Sequence, residues 1–198
     1  MRRLSIAVGL VLLFAAVPSF ADVCGSVAGN LVMNCGFETG TTADWTFTPA
    51  PVGSDFYIGG GAYSGNYAAW FGAVSYENDS LSQNLATVPG ATYDLQFYLA
   101  HDETDSANQF LASWNGATEY DLFNVASFGY GLVDIPGLMA TGTSTPLTFA
   151  GYEVPAWFIL DDVSVVQTAS PVPEPSSIFL LTTVVGLCAV RLRKAFQS

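Results

Sequence analysis

Between Asp22 and Asp162 the chain has no lysine and no arginine. The five basic residues of the whole sequence stand at its ends: Arg2 and Arg3 in front, Arg191, Arg193 and Lys194 behind. This absence excludes several functions. Nucleic-acid binding needs phosphates neutralised by Lys or Arg, and the span offers neither. Attraction to anionic lipid is disfavoured for the same reason. No Lys or Arg salt bridge can form inside the span, although every one of the 17 Asp and Glu except Glu174 lies within it. Those carboxylates must be met by water, by backbone N–H groups or by a cation from outside. A solvated acidic surface and a divalent metal are the two readings of such an excess.

Histidine is nearly missing as well, His101 being the only one. One imidazole leaves little room for a Ser-His-Asp or Cys-His device, and the chain has no G-x-S-x-G, H-E-x-x-H or P-loop. Glycoside hydrolysis needs just two carboxylates at a defined separation. With so many acids such pairs arise by chance, so no catalytic residue is assigned and the chain is read as a non-enzyme. His101 with Asp102, Glu103 and Asp105 reads either as a second metal site or as a solvated loop. Cysteine is scarce: Cys24, Cys35 and Cys188, with no C-x-x-C to suggest zinc. In an oxidising compartment the close pair Cys24 and Cys35 favours a disulfide that staples the N-terminal end of the domain to its first strand. Two free thiols are the alternative.

The two ends explain where the positive charge went. Met1 to Ala21 has a basic start, an apolar run from Leu4 to Val17 and then Pro18-Ser19-Phe20-Ala21. This is the pattern of a secretory signal helix for signal peptidase, with the mature chain starting at Asp22; an uncleaved anchor is the other reading. At the far end Ile178 to Val190 is apolar apart from threonines and a glycine, and the basic stub follows. The run is short against the roughly 20 residues of a full crossing unless flanking serines and arginine stems contribute. Cytoplasmic flanks carry Lys and Arg, so residues 178–198 read as a transmembrane helix with an inside tail.

The stretch between them reads as one domain of about 150 residues, large enough for a real core. Long helical periodicity is missing, and short alternating runs recur between turn signals, which predicts an all-β antiparallel sandwich of about eight or nine strands. Strands are expected at Leu31–Phe37, Asn66–Ala73, Ser80–Thr87, Thr92–Ala100, Gln109–Trp114, Glu119–Val125, Leu147–Ala150 and Trp157–Val166. In "TYDLQFYLA" Tyr93, Leu95, Phe97 and Leu99 share one face, and Asp94, Gln96 and Tyr98 the other. Asn115-Gly116 between two strand-like runs is a hairpin turn. Residues 101–108 read as a polar loop, and 127–146, rich in Gly, Pro and Thr, receive no assignment. The domain spans 22–166, and 167–177 is a linker.

Sugar recognition uses aromatic platforms with amides and carboxylates beside them. Gln96 and Tyr98 on the outward strand face, and Trp114 and Asn115 at the hairpin end, are the candidate carbohydrate-binding residues, with Asp94 and Trp70 beside them. Core packing is the competing reading for Trp70 and Trp114, and more so for Trp45 and Trp157.

Two resemblances add to this reading. Pro173-Glu174-Pro175, then a short apolar helix, then a basic cluster, resembles the PEP-CTERM sorting signal of Gram-negative bacteria that make extracellular polysaccharide. It implies an exosortase partner, transient residence in the inner membrane, and a destination at the cell surface or in the extracellular matrix. Cys188 lies inside that apolar run, as a small hydrophobe or a lipidation site. Second, "NLVMNCGFETG" followed by Trp45, the unit "LSQNLATVPGATYDLQFYLA" and the closing "WFILDDVSV" resemble, in order, jelly-roll domains of the galactose-binding-like superfamily, which includes many carbohydrate-binding modules. Cys35-Gly36 stands where that family has Gly and a variable residue. The resemblance implies a jelly-roll sandwich, association with extracellular polysaccharide, and one structural calcium held by Glu38 and by Asp161 or Asp162, with further oxygens from Tyr63 to Asn66. Strand alternation would point only one of Asp161 and Asp162 at the ion. A biofilm matrix protein without a specific ligand is the alternative, and a glycoside-active enzyme the more distant one.

Overall fold

Alternating sequence becomes two stacked sheets in the computed structural model, which describes residues 22–73, 75–102 and 107–170. The signal segment, Pro173, Glu174 and Pro175, the helix at 178–198 with Cys188, and Glu103 and Asp105 lie outside the described residues.

Among the described residues ten strands are present: β1 (Thr46–Thr48), β2 (Tyr57–Gly59), β3 (Ala68–Phe71), β4 (Asp79–Ala86), β5 (Thr92–His101), β6 (Gln109–Trp114), β7 (Ala117–Phe123), β8 (Phe128–Met139), β9 (Ser144–Tyr152) and β10 (Phe158–Ala169). Sheet I runs β1-β4-β9-β6-β7 and sheet II runs β2-β3-β10-β5-β8. Every neighbouring pair is antiparallel. The all-β sandwich expected from the sequence is therefore the fold.

The core is the inner faces of both sheets. Along β5, Tyr93, Leu95, Phe97 and Leu99 are buried while Asp94, Gln96 and Tyr98 are not. Phe97 of sheet II meets Phe149 of sheet I edge-on, ring centres 5.1 Å apart, and Phe110 meets Phe158 at 5.4 Å. Each such ring contributes roughly 1.5–3 kcal/mol by leaving water, an upper estimate because unfolded chains are already partly collapsed. The β6–β7 hairpin turns on Asn115 (φ 52) and Gly116 (φ 81), both left-handed as a two-residue primed turn requires.

Four expectations are corrected. Leu31–Phe37 is not a strand. Asn34 and Phe37 take φ of 47 and 59, which breaks any extended run. Asparagine side chains hold the segment instead. Asn30 accepts from Val32 N and Val165 N and donates to Cys24 O and Val163 O, and Asn34 donates to Thr41 O and Ala43 O. The result is an irregular strap along β10, pinned by Leu31 N to Val165 O and Val163 N to Cys35 O. The Cys24–Cys35 disulfide is formed, and it joins a short 3-10 turn (Cys24–Ser26) to this strap rather than to a strand.

The unassigned region contains β8, a twelve-residue edge strand of sheet II. Gly129, Gly131, Pro136 and Gly137 hide its period. An edge tolerates Pro136, and the register with β5 shifts there, where Gly137 N donates to Asp94 Oδ1 at 2.9 Å. The short strands β1 and β2 have too few residues for alternation to show. Finally, His101 belongs to no solvated loop. It ends β5, buried, with Nδ1 on Ala126 O at 3.2 Å and Nε2 on Glu153 Oε2 at 2.6 Å.

Candidate functional site

The outer faces of the two sheets differ in chemistry. On sheet I, register aligns Thr46, Ser82, Thr148, Ser113 and Thr118 in one cross-strand row. It is a band of small hydroxyls. On sheet II the corresponding row is apolar and aromatic: Tyr57, Trp70, Ile159 and Ala100, in register across β2, β3, β10 and β5.

This second row carries the best-formed recognition surface among the described residues. Tyr57 stacks on Trp70 with ring centres 5.3 Å apart and planes 17° off parallel. Trp157, just before β10, meets both edge-on at 6.1 Å. The polar edges of these rings are committed to backbone: Trp70 Nε1 to Gly60 O (3.0 Å), Trp157 Nε1 to Asp55 O (3.2 Å) and Tyr130 OH to Gly61 O (2.9 Å). Their orientation is thereby fixed, while Tyr57 remains 42 % exposed. Gly61 makes this close approach possible, with φ +86 and a hypothetical Cβ only 2.9 Å from the Trp70 ring. An open depression of about 490 Å³ adjoins the shelf, lined by Ile159, Ala100, Asp102, Ser127 and Tyr130, with His101 at its floor. Asp102 sits at its rim and accepts from Trp157 N at 2.8 Å. Burial and the Asp102 charge together raise the pKa of the Tyr57 phenol.

The four carbohydrate candidates from sequence do not meet in one place. Gln96 lies on the sheet II face and donates to Asp134 at 3.2 Å. Tyr98 lies beside it, but Tyr63 covers its ring at 3.5 Å. Trp114 is core: 3 % exposed, against Tyr93, with Nε1 on Met139 O. Asn115 is at the hairpin tip and donates to Thr141 Oγ1 at 2.8 Å, beside a second depression of about 320 Å³. Trp70 is half-buried on the outward face, stacked with the exposed Tyr57. Trp114 shares its strand face with Phe110 and Ala112, and that alternation in the sequence was the signal for a core position.

The acids expected to hold calcium gather around one turn, residues 63–67. Asp161 Oδ2 accepts from Tyr63 N (2.7 Å) and Ser64 N (3.1 Å), and its Oδ1 from Asp162 N (2.8 Å). Glu38 Oε1 accepts from Asn66 N (2.7 Å) and Tyr67 N (2.9 Å), and its Oε2 from Asn66 Nδ2 (3.0 Å). Gly65, at the apex with φ +66, leaves no room for a Cβ against Glu38. Asp162 has φ 50, a left-handed bulge where the pairing with β5 slips. Both neighbouring carboxylates therefore reach the same residue, Asp162 Oδ2 taking the Ser64 hydroxyl at 2.7 Å. The alternation rule fails here for that reason. A cation wants bare oxygen lone pairs, whereas each oxygen of Glu38 and Asp161 already receives at least one N–H. As arranged, most lone pairs of Glu38 and Asp161 are taken by N–H groups, which offset carboxylate charge in a span that has no Lys or Arg.

Asp22 completes the cluster: its Oδ1 and Asp162 Oδ1 both accept from Cys24 N, at 3.1 and 3.2 Å. Burial first, then the Asp162 charge, pushes Asp161 up to about 7. Burial and then the Asp162 contact raise Asp22 to about 6. Asp22, Cys24 and Cys35 also lie within ligand reach of one another, but the disulfide removes both sulfurs as thiolate ligands.

For chemistry, the His101–Glu153 pair is the one imidazole–carboxylate contact among the described residues, and both side chains are fully buried. Nδ1 faces the Ala126 carbonyl, which only accepts, so Nδ1 carries a proton. The geometry of the shelf supports binding.

No protein-family model matches the chain, and no curated protein matches it by sequence. Solved structures do match in fold. The CBM61 module TmCBM61, in complex with beta-1,4-galactotriose, superposes with a TM-score of 0.55 at 20 % identity, covering 71 % of this chain and 100 % of that one. A xylan-binding domain from CBM 22 gives 0.54 at 17 % identity, over 73 % and 99 % of the two chains. The K1 cleaved adhesin domain of Lys-gingipain from Porphyromonas gingivalis gives 0.54 at 12 %, over 68 % and 96 %. The fold is the jelly-roll sandwich of these modules.

Proposed function

We propose that this domain is a non-catalytic module that associates with an extracellular polysaccharide, holding it on the Tyr57–Trp70 shelf of sheet II. One observation carries the reading: two stacked rings at an exposed edge of the sheet, the indole N–H of Trp70 tied to backbone, and a depression alongside with Asp102 and Ser127 for hydroxyls. Two fold neighbours support it, one holding a galactotriose and one named for xylan binding. The domain has no Lys or Arg to meet an anionic polymer. A neutral glycan is therefore the ligand class the surface accepts.

The ends of the chain place that module. The signal segment sends it across the inner membrane, and the PEP motif hands it to an exosortase for delivery to the surface or matrix of a Gram-negative cell. Mass spectrometry of the native protein tests this half, with a mature start at Asp22 and a cut near Pro173–Pro175 expected.

Affinity electrophoresis against neutral galactan and xylan tests the binding half. Trp70→Ala should weaken binding about tenfold or more, the equivalent of losing one aromatic anchor. Thr148→Ala on the hydroxyl band should leave it unchanged. Loss with Thr148→Ala and retention with Trp70→Ala would move the site to sheet I. Absence of binding to any glycan would favour a matrix protein without a specific ligand.

A further inference from the structure

Asp79 opens β4 and is fully buried. Its Oδ1 accepts from Ala50 N at 2.9 Å, and its Oδ2 has no hydrogen-bond partner at all. The side-chain oxygen of the preceding residue, Asn78 Oδ1, is also buried and unpartnered. Around Asp79 the loop from Ala50 to Phe56 folds back. Ser54 bridges to Ala73, Asp55 N donates to Gly72 O at 2.8 Å, and Phe56 N donates to Ser54 Oγ at 3.1 Å. Both the Ser54 hydroxyl and the Asp55 charge act on the Asp79 carboxylate, the first lowering its pKa and the second raising it. The remaining surroundings are apolar, with Ala50, Ala73 and Tyr152 packed together.

An orphaned buried carboxylate oxygen is costly, and it is more so with a second carboxylate nearby. Elsewhere in the domain the turn at 63–67 supplies N–H groups to its acids. Here the unpartnered atoms are both oxygens, Asn78 Oδ1 and Asp79 Oδ2, and Asp55 adds a second carboxylate charge. The span contains no Lys or Arg to provide a charge. We propose that Asp79 Oδ2 is the anchor of a calcium site that draws its further oxygens from Asp55, Asn78 and water. Carboxylate and amide oxygens are the hard donors that calcium selects. Burial, followed by the Asp55 charge on the opposing side of the balance from the Ala50 and Ser54 hydrogen bonds, raises the Asp79 pKa. A bound cation would reverse that shift.

The test uses the secreted protein stripped with EDTA and then titrated with calcium. Melting temperature is one readout, and terbium luminescence sensitised by tyrosine and tryptophan is the other. The wild type should gain roughly 5–10 °C at saturating calcium and bind terbium in competition with it. Asp79→Asn keeps the shape and should remove both responses, and Asp55→Asn should weaken them without disturbing the core. Asp161→Asn should leave both intact. No calcium response in the wild type would overturn the site and leave a water or a protonated acid there. A response that survives Asp79→Asn and vanishes with Asp161→Asn would overturn it equally and place the ion at the 63–67 turn.

Discussion

Glu38→Gln separates two accounts of the same residue. Glu38 accepts three hydrogen bonds from the 63–67 turn, at 2.7, 2.9 and 3.0 Å. A bond to a charged group contributes about 1.5–3 kcal/mol when shielded. These are partly open to water, so about 1 kcal/mol each is the sensible scale. The substitution keeps Oε1 and its two backbone N–H donors. It replaces Oε2 by an amide that faces the Asn66 amide, donor against donor, unless both flip. The expected cost is about 1–2 kcal/mol. Glu38→Ala, which loses all three, should cost about 2–3 kcal/mol. At about 2–4 °C per kcal/mol for a domain of this size, the melting point falls by roughly 2–8 °C for Gln and 4–12 °C for Ala. The discriminating feature is calcium. If Glu38 serves the turn, each drop is the same in EDTA and in calcium. Thermal scans of the three proteins under both conditions decide it. A Glu38→Gln protein that matches the wild type in EDTA and falls behind only in calcium would refute the reasoning and restore Glu38 as a ligand.

Two further outcomes follow from the same region. Replacing Cys24 and Cys35 together by alanine frees the strap end and should cost about 2–3 kcal/mol in urea denaturation, the chain-entropy scale for a short loop; an unchanged midpoint would mean that Asn30 alone holds the strap. Stability should also fall as pH rises. Asp161 and Asp22 are held near about 7 and about 6 against an ordinary value of 3.8, so in that window the folded state binds more protons than the unfolded one. Their stabilisation is complete below about pH 4 and is lost as pH climbs through 6 and 7. Melting in EDTA should therefore be higher at pH 5 than at pH 8, and Asp161→Asn should flatten the slope. A rising slope would show that the N–H groups of the turn outweigh burial.

What the sequence could show was set by how local each cause is. The period-two pattern in β4, β5 and β6 comes from burial of one strand face, and it is legible from the strand alone. The Asn115-Gly116 turn was legible because its backbone needs those two residues. The strap at 31–37 was misread because its side-chain pattern imitates a strand while Asn30 and Asn34 pull the backbone elsewhere. Asp161 and Asp162 were assigned to opposite faces by a rule that a single left-handed residue suspends.

The shelf itself could not be read from any one segment. Tyr57, Trp70, Ile159 and Ala100 come from four strands, and only their register places them side by side. Trp70 and Trp114 each stand in a short strand, Trp70 after two alanines and Trp114 after Ala112-Ser113. Trp114 falls on the inward face of β6 with Phe110 and Ala112, whereas Trp70 stands between the buried Ala69 and Phe71, on the outward face of β3 beside the three-residue edge strand β2. That short edge leaves Tyr57 as the last ring in its row, with nothing beyond it in the sheet. An edge that ends in a stacked aromatic pair is where a glycan chain can continue the row, and this is why the binding reading rests on Tyr57 and Trp70 rather than on the rings that the core has claimed.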